Sequence, residues 1–172
     1  MGRDAWYRAA LLGVAGGGRS QSPLAAVALT IPAGEQHRPA AWLASERATG
    51  LAVLAAVAEL GLDKWPSAPS RLSVAGLLPR VVLRGWAAAA LAAHRTQSEH
   101  RRVWALSAGV AGVTAVAGAV AGARWRGAVH DRGLPGWVGA VLEDAVVVAL
   151  SAAACRPGHP TVTEHRNDAT AP

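Results

Sequence analysis

The stretch VWALSAGVAGVTAVAGAVAGA, residues 103–123, decides the fold of this chain. Its 21 residues carry no charge, and Arg124 and Arg126 follow directly. A helix that crosses a bilayer needs about 20 mostly apolar residues, so this stretch predicts a membrane-spanning helix. Gly118 and Gly122 lie four residues apart within it and predict a small-xxx-small step that allows close packing of another helix.

Four further apolar runs surround this stretch, at residues 9–32, 40–62, 74–93 and 134–155. Hydrophobic residues make up 52% of the chain and charged residues only 16%, whereas about a quarter of a soluble domain is charged. The seven tryptophans fall mostly at the ends of the runs, as in the aromatic belt of membrane proteins. We therefore predict an all-α, polytopic membrane helix bundle with about five hydrophobic segments in residues 1–155, followed by a disordered polar tail at 156–172.

The first run is predicted to be broken between Gly16 and Pro23. Three consecutive glycines loosen a helix there, and proline lacks a backbone donor. Irregular backbone at membrane depth is tolerated only where protein or a water-filled cavity covers it. The break should therefore lie inside the bundle.

Charged side chains interrupt the apolar runs, and in a membrane such groups usually face protein, water or one another. Arg19 is expected to pair with Glu59, Glu143 or Asp144. Because adjacent helical residues point about 100° apart, only one of the last two acids need face the same neighbour. The pattern predicts an intramembrane polar cluster of Arg19, Ser20, Glu59, Asp63, Lys64, Glu143 and Asp144.

The third run is the weakest, because Pro79, Arg80 and Arg84 crowd its start. The two arginines share a helix face, and we expect them to extend to the interface while the helix spans from Leu83 onward. Five spans with a cytoplasmic N-terminus would place on the inner face Arg3, Arg8, Lys64, Arg71, Arg124, Arg126 and Arg132.

Several classes of function find no support in the sequence. The histidines lack metal-ligand spacing and Cys155 is the only cysteine, so no metal site is predicted. The segment from Gly13 to Ser20 resembles a phosphate-binding loop but has Arg19 where the motif needs Lys, and its flanks are apolar. The net charge of +6 is scattered between apolar runs, which favours anionic lipid over nucleic acid as the partner. We expect no cofactor and no catalytic constellation, hence no enzyme.

A set of short motifs in a fixed order resembles the domain-of-unknown-function 4126 family, over residues 9–154. The motifs are Gly17-Gly18-Arg19-Ser20 with Pro23, Asp63-Lys64-x-Pro66-x-x-Pro69-Ser70-Arg71, Gly118-x-x-x-Gly122-x-Arg124, and Glu143-Asp144. The resemblance implies a small bacterial integral membrane protein with several spans, and it implies no substrate and no catalytic residue.

Two functions remain open at this stage for a multi-pass protein of the cell membrane. The first is permease-like handling of a small solute or ion through the charged cluster. The second is a structural or partner-binding membrane subunit whose buried charges only fix helix packing. A lipid-modifying enzyme and a secreted protein with a signal peptide are weaker alternatives, since no reactive constellation is present and Arg19 truncates the apolar stretch.

Overall fold

The computed structural model describes residues 3–15, 19, 21–62, 73–97 and 100–157. Within these ranges the chain forms α-helices and one short 3₁₀ helix, Ala40–Leu43, and no strand. The helices are α1 (Arg3–Ala15), α2 (Ser22–Thr30), α3 (Glu46–Leu62), α4 (Val74–Thr96), α5 (Arg101–Asp131) and α6 (Gly136–Cys155). The predicted all-α fold is confirmed. The disordered tail stays a prediction, because residues 158–172 lie outside the described ranges.

Three helices in the described part of the chain are long and apolar enough to cross a membrane: Gly76–Thr96 within α4, and all of α5 and α6. Large apolar side chains also cover the outside of the bundle. On α3, Leu51 and Leu54 are 67% and 63% exposed. An exposed apolar surface of this kind marks contact with a membrane or a partner. The chain is therefore a polytopic membrane helix bundle, as predicted.

The first apolar run is divided between two short helices. α1 ends at Ala15 and α2 begins at Ser22, with Pro23 in the first turn, where a missing N–H removes no helical hydrogen bond. At 1.5 Å per residue α1 is about 20 Å long and α2 about 14 Å, so neither crosses a 30 Å hydrocarbon core. The predicted break is confirmed.

Both termini of the described chain lie at one end of the bundle, which we call the basic end and define by Arg8, Arg95 and Arg156. Arg8 in α1 donates a hydrogen bond of 2.6 Å to the carbonyl oxygen of Arg156. Arg95 in the last turn of α4 donates one of 2.6 Å to the carbonyl oxygen of Cys155. The start of α1 therefore lies beside the ends of α4 and α6.

The loop after α2 returns to the same basic end, since Nδ1 of His94 lies 2.6 Å from Oε2 of Glu35. α1 and α2 thus form a helical hairpin that enters and leaves at the basic end, with its tip inside the bundle. α3 to α6 then run alternately between the basic end and the far end, which we define by the turn at residues 132–135.

This course of the chain corrects the expected orientation. Arg3 and Arg8 lie at the basic end, whereas Arg126 and Arg132 lie toward the far end. The prediction that they share a membrane face is wrong, because the first apolar run turns back instead of crossing.

α4 is the central helix of the bundle. Every residue from Ala87 to Ala93 is less than 9% exposed, which is typical of a helix that is apolar on all sides and surrounded by others. The helix begins at Val74 and continues through Pro79, so the expected start of the span at Leu83 is wrong.

Glycines allow α5 to approach its neighbours closely. A Cβ built on Gly13 of α1 would lie 2.5 Å from the carbonyl oxygen of Ala111 in α5. A Cβ on Gly112 of α5 would lie 3.3 Å from a methyl group of Val81 in α4. Because neither glycine has a side chain, α1 and α4 can each pack closely against α5.

Candidate functional site

Arg19 and Asp144 form an ion pair at the tip of the α1–α2 hairpin. Arg19 Nη2 donates to Asp144 Oδ2 at 2.8 Å, and Arg19 Nε donates to the second carboxylate oxygen. Arg19 is 8% exposed, and Asp144 is the ninth residue of the 20-residue α6. The hairpin tip and the pair therefore lie near mid-depth of the bundle, in the two-pronged geometry that is strongest for arginine and carboxylate.

Arg84 approaches the same tip from α4, where its side chain is completely buried. Its Nη2 donates a hydrogen bond of 2.8 Å to the carbonyl oxygen of Arg19. The expectation that Arg84 extends to the interface is wrong, because its guanidinium supports irregular backbone that no helix satisfies. Arg80, one turn away, is also buried, at 7% exposed.

The sequence predicts Arg84 at the interface because this residue lies near the start of the third apolar run. Counted from the other end, Arg84 lies ten residues before His94, and Asp144 lies eleven before Cys155. This similar distance from the basic end is the signal that places the two side chains at one depth.

Glu59 of α3 holds the beginning of α2. Its Oε2 accepts a hydrogen bond of 2.8 Å from the backbone N–H of Gln21, the residue that precedes the first turn of α2. A carboxylate at this position also complements the positive end of the helix dipole. Glu59, one of the predicted cluster residues, therefore lies at the hairpin tip, where it accepts a hydrogen bond from the backbone.

Glu143 belongs to a different ion pair. Arg126 of α5 donates to it from Nε at 2.9 Å and from Nη2 at 2.7 Å. The Glu143 side chain is 10% exposed and the Arg126 side chain 41%. Among the described residues, Glu143 thus pairs with α5 through Arg126, whereas Asp144 pairs with Arg19 at the hairpin tip.

The remaining predicted site residues are only partly described. Ser20, Asp63 and Lys64 lie outside the described residues. Gly118 is buried and Gly122 half-buried, and both line a cleft between α5, the end of α1 and α6. Close packing through these two glycines stays a prediction.

The Arg19–Asp144 pair opens onto a groove of about 320 Å³ between α2, α3 and α6. Alanine, valine and leucine form most of its wall, and the polar lining includes Ser22 and Ser151. The Asp144 side chain is 32% exposed. Ser151 is 3% exposed, and its hydroxyl has no hydrogen-bond partner within the described ranges. The groove is therefore an apolar slot with one salt bridge at its inner wall.

This arrangement can exchange one partner of an ion pair for another. Removing one partner of a buried pair costs about 3–5 kcal/mol, so the guanidinium and the carboxylate do not separate without replacement. An anion that enters the groove can contact Arg19 in place of Asp144, whose side chain lines the groove and is 32% exposed. In the described part of the chain, no group of three or more His, Cys, Asp or Glu residues is placed to hold a metal ion.

A second polar cluster, also missed from the sequence, lies outside the spans at the basic end. Glu35 accepts from Nδ1 of His94 at 2.6 Å, from Nδ1 of His37 at 2.8 Å and from the backbone N–H of His37 at 3.0 Å. These hydrogen bonds, that of His94 above all, lower the pKa of Glu35 from 4.5 to about 2, against a smaller opposing effect of desolvation. The cluster fastens the loop after α2 to the end of α4.

Comparison with curated proteins and with solved structures gives no match to this chain. A family model does match, and it spans residues 8–162, from the middle of α1 to beyond the end of α6. Because the match covers most of the chain, including the hairpin and the ion pairs described above, the chain belongs to the family described as Domain of unknown function (DUF4126).

Proposed function

We propose that this integral membrane protein binds and moves a small anion at the Arg19–Asp144 pair, as a permease does, and that it is not an enzyme. The observation that carries the proposal is the two-pronged ion pair beside a groove at mid-depth of the bundle. Placing a charged pair at that depth costs free energy, and in membrane proteins such pairs commonly belong to a solute or ion pathway.

The partner that Arg19 has in the structure, the Asp144 carboxylate, indicates the chemistry of the solute. The Arg19 guanidinium holds a planar carboxylate through two parallel hydrogen bonds. An anion with two oxygens in the same geometry, such as formate or nitrate, can take the place of Asp144. The break between α1 and α2 adds a short helix whose positive end is directed at the same region.

The test is anion flux into liposomes that contain the purified protein, with formate, nitrate and chloride as probes. We expect the wild-type protein to move formate or nitrate faster than chloride, and Arg19→Gln to abolish this flux. Arg126→Gln is the matched control, since it removes the other ion pair of α6 and leaves the groove unchanged. A wild-type protein that moves none of the three anions contradicts the proposal.

The second candidate function is a structural subunit in which the pair only locks the hairpin to α6. It is favoured by Glu59 and Arg84, which both form hydrogen bonds to the backbone of the hairpin. The double variant Arg19→Asp, Asp144→Arg separates the two candidates. In a structural subunit the exchange restores both stability and function, whereas at an anion site it restores stability without flux.

A further inference from the structure

A groove of about 560 Å³ at the basic end lies between α4, α5 and the 3₁₀ helix, apart from the Arg19 groove. Two arginines, Arg38 and Arg101, line it, and Arg101 is the first residue of α5. Its deeper wall is made of small residues, among them Gly85, Ala105 and Ala108. From Arg101 to Ala108 the lining descends about 10 Å along α5, at 1.5 Å per residue. The groove therefore passes from a cationic rim to an apolar interior.

Three tryptophans line this groove and indicate its depth in the bilayer. They are Trp42, Trp86 and Trp104. The ring centroids of Trp42 and Trp86 lie 6.4 Å apart, and the Arg38 guanidinium lies 5.9 Å from the Trp42 centroid. Tryptophan concentrates at the level of the lipid headgroups, and Trp104 lies within one turn of Arg101, so the rim lies at the interface. Trp86 is adjacent to Gly85 and belongs to the deeper, apolar wall.

The first turn of α5 also carries no acidic side chain. α5 starts with Arg101 and Arg102, has no acid in its first turn, and receives no capping hydrogen bond from the side chain of His100. Two cations at the positive end of a 31-residue helix repel its dipole. An anion at the rim relieves this repulsion and accepts hydrogen bonds from the arginines. Glu99, which precedes His100, lies outside the described residues.

We propose that this groove binds one anionic phospholipid, with the phosphate between Arg38 and Arg101 and an acyl chain against the small residues of α4 and α5. The charge of the rim selects the headgroup, and the change from cationic rim to apolar interior matches a lipid instead of a soluble anion. Basic pockets between membrane helices bind anionic headgroups by this combination. This site is independent of the Arg19–Asp144 pair.

The test is native mass spectrometry of the purified protein in micelles that contain equal amounts of phosphatidylglycerol and phosphatidylcholine. We expect the wild-type protein to retain one phosphatidylglycerol about tenfold more often than phosphatidylcholine, given the attraction of two interfacial arginines. The double variant Arg38→Gln, Arg101→Gln should retain the two lipids equally. Both side chains are exposed, so these substitutions leave the packing of the bundle intact.

Arg102→Gln is the matched control. Arg102 is adjacent to Arg101 and equally exposed, but it does not line the groove, so the variant should keep the preference of the wild-type protein. Equal retention of both lipids by the wild-type protein overturns the proposal. An equal loss in the Arg102→Gln variant also overturns it, since general surface charge would then be the cause. Displacement of the lipid by millimolar inorganic phosphate overturns it in favour of a solute site.

Discussion

At the scale of single residues, the ion pairs show that neighbours in sequence do not share partners. Glu143 and Asp144 are adjacent, yet Arg126 binds the first and Arg19 the second. The cation is the more exposed partner in the first pair, with Arg126 41% and Glu143 10% exposed, and the acid is the more exposed partner in the second, with Arg19 10% and Asp144 32% exposed. The two pairs therefore differ in which charge is left buried and uncompensated when its partner is removed, Glu143 in the first and Arg19 in the second.

A double-mutant cycle tests this difference. Arg19→Gln should lower the free energy of unfolding by about 3 kcal/mol, the lower end of the range for buried pairs, because Asp144 is about a third exposed. Asp144→Asn should cost a similar amount, and the double variant much less than the sum of the two. The measurement is unfolding in detergent micelles followed by tryptophan fluorescence.

The corresponding cycle with Arg126→Gln and Glu143→Gln is the comparison. Arg126→Gln should cost more than the roughly 0–1 kcal/mol of an exposed pair, because it leaves the nearly buried Glu143 carboxylate without this partner. If the losses in the Arg19 cycle are simply additive, Arg19 and Asp144 do not act as a pair.

Glu35 predicts a pH dependence of stability at the basic end. Its pKa is about 2 in the folded protein and 4.5 as its ordinary value. Because the folded pKa is the lower one, the carboxylate stabilises the folded protein fully above about pH 4.5, and this stabilisation is lost as the pH falls toward 2. Glu35→Gln should therefore cost about 1–2 kcal/mol at pH 7 and progressively less below about pH 4.5, with most of the difference lost near pH 2.

Thermal unfolding of both proteins in detergent between pH 7 and pH 2 checks this expectation. Glu46→Gln is the control, since Glu46 is exposed in the first turn of α3. A difference between wild type and Glu35→Gln that stays constant down to pH 2 would show that the Glu35 charge does not fasten the loop.

At the scale of elements, the hairpin depends on how closely α1 approaches α5. Gly13 faces α5 so closely that an added Cβ would lie 1.8 Å from Thr114 Oγ1 as well as 2.5 Å from a backbone oxygen. The hydroxyl can rotate away, but the backbone of α5 cannot move without disturbing its packing on α4.

Gly13→Ala should therefore separate α1 from α5 and lower the free energy of unfolding by about 1–3 kcal/mol, as overpacking does. Gly109→Ala is the control in α5, because nothing lies within 4 Å of the Cβ position there. That control should be neutral or stabilising by up to about 1 kcal/mol, since alanine favours a helix. Equal stability of the two variants in detergent unfolding would show that the contact at Gly13 is not tight.

At the scale of the whole molecule, the hairpin determines which loops face each side of the membrane. In the described chain, eight arginines lie at the basic end: Arg3, Arg8, Arg38, Arg47, Arg95, Arg101, Arg102 and Arg156. The far end holds Arg124, Arg126 and Arg132, and the connection from α3 to α4 adds Lys64 and Arg71 in sequence. The positive-inside rule therefore predicts that the basic end faces the cytoplasm.

Single cysteines in a Cys155→Ala background test this topology. Asp4→Cys and Ala33→Cys should resist a membrane-impermeant maleimide in intact cells, while Leu134→Cys reacts, because the hairpin places only Leu134 at the far end. All three should react after permeabilisation. Five full spans would instead place Ala33 opposite both Asp4 and Leu134, so labelling of Ala33→Cys alone contradicts the hairpin.

The sequence by itself determined the environment of this protein, its helical class and the break between α1 and α2. These properties are local, since they depend on the apolar content of each run and on glycine and proline at defined positions. The same local information singled out Arg19, Glu59, Glu143 and Asp144 as charges that a bilayer would turn inward, but it did not indicate which of them pair.

Only the tertiary structure decided that the first run turns back, that Arg84 supports the hairpin tip, and that Glu35 meets His94. Each of these depends on residues far apart in the chain, 65 positions for Arg84 and Arg19 and 59 for His94 and Glu35. An interrupted apolar run can either cross the membrane or turn back within it. Which of the two occurs depends on which side chains form hydrogen bonds with the polar backbone groups at the break. These partners come from the packed helices together, because the polar backbone groups of the break must form their hydrogen bonds with side chains of other helices.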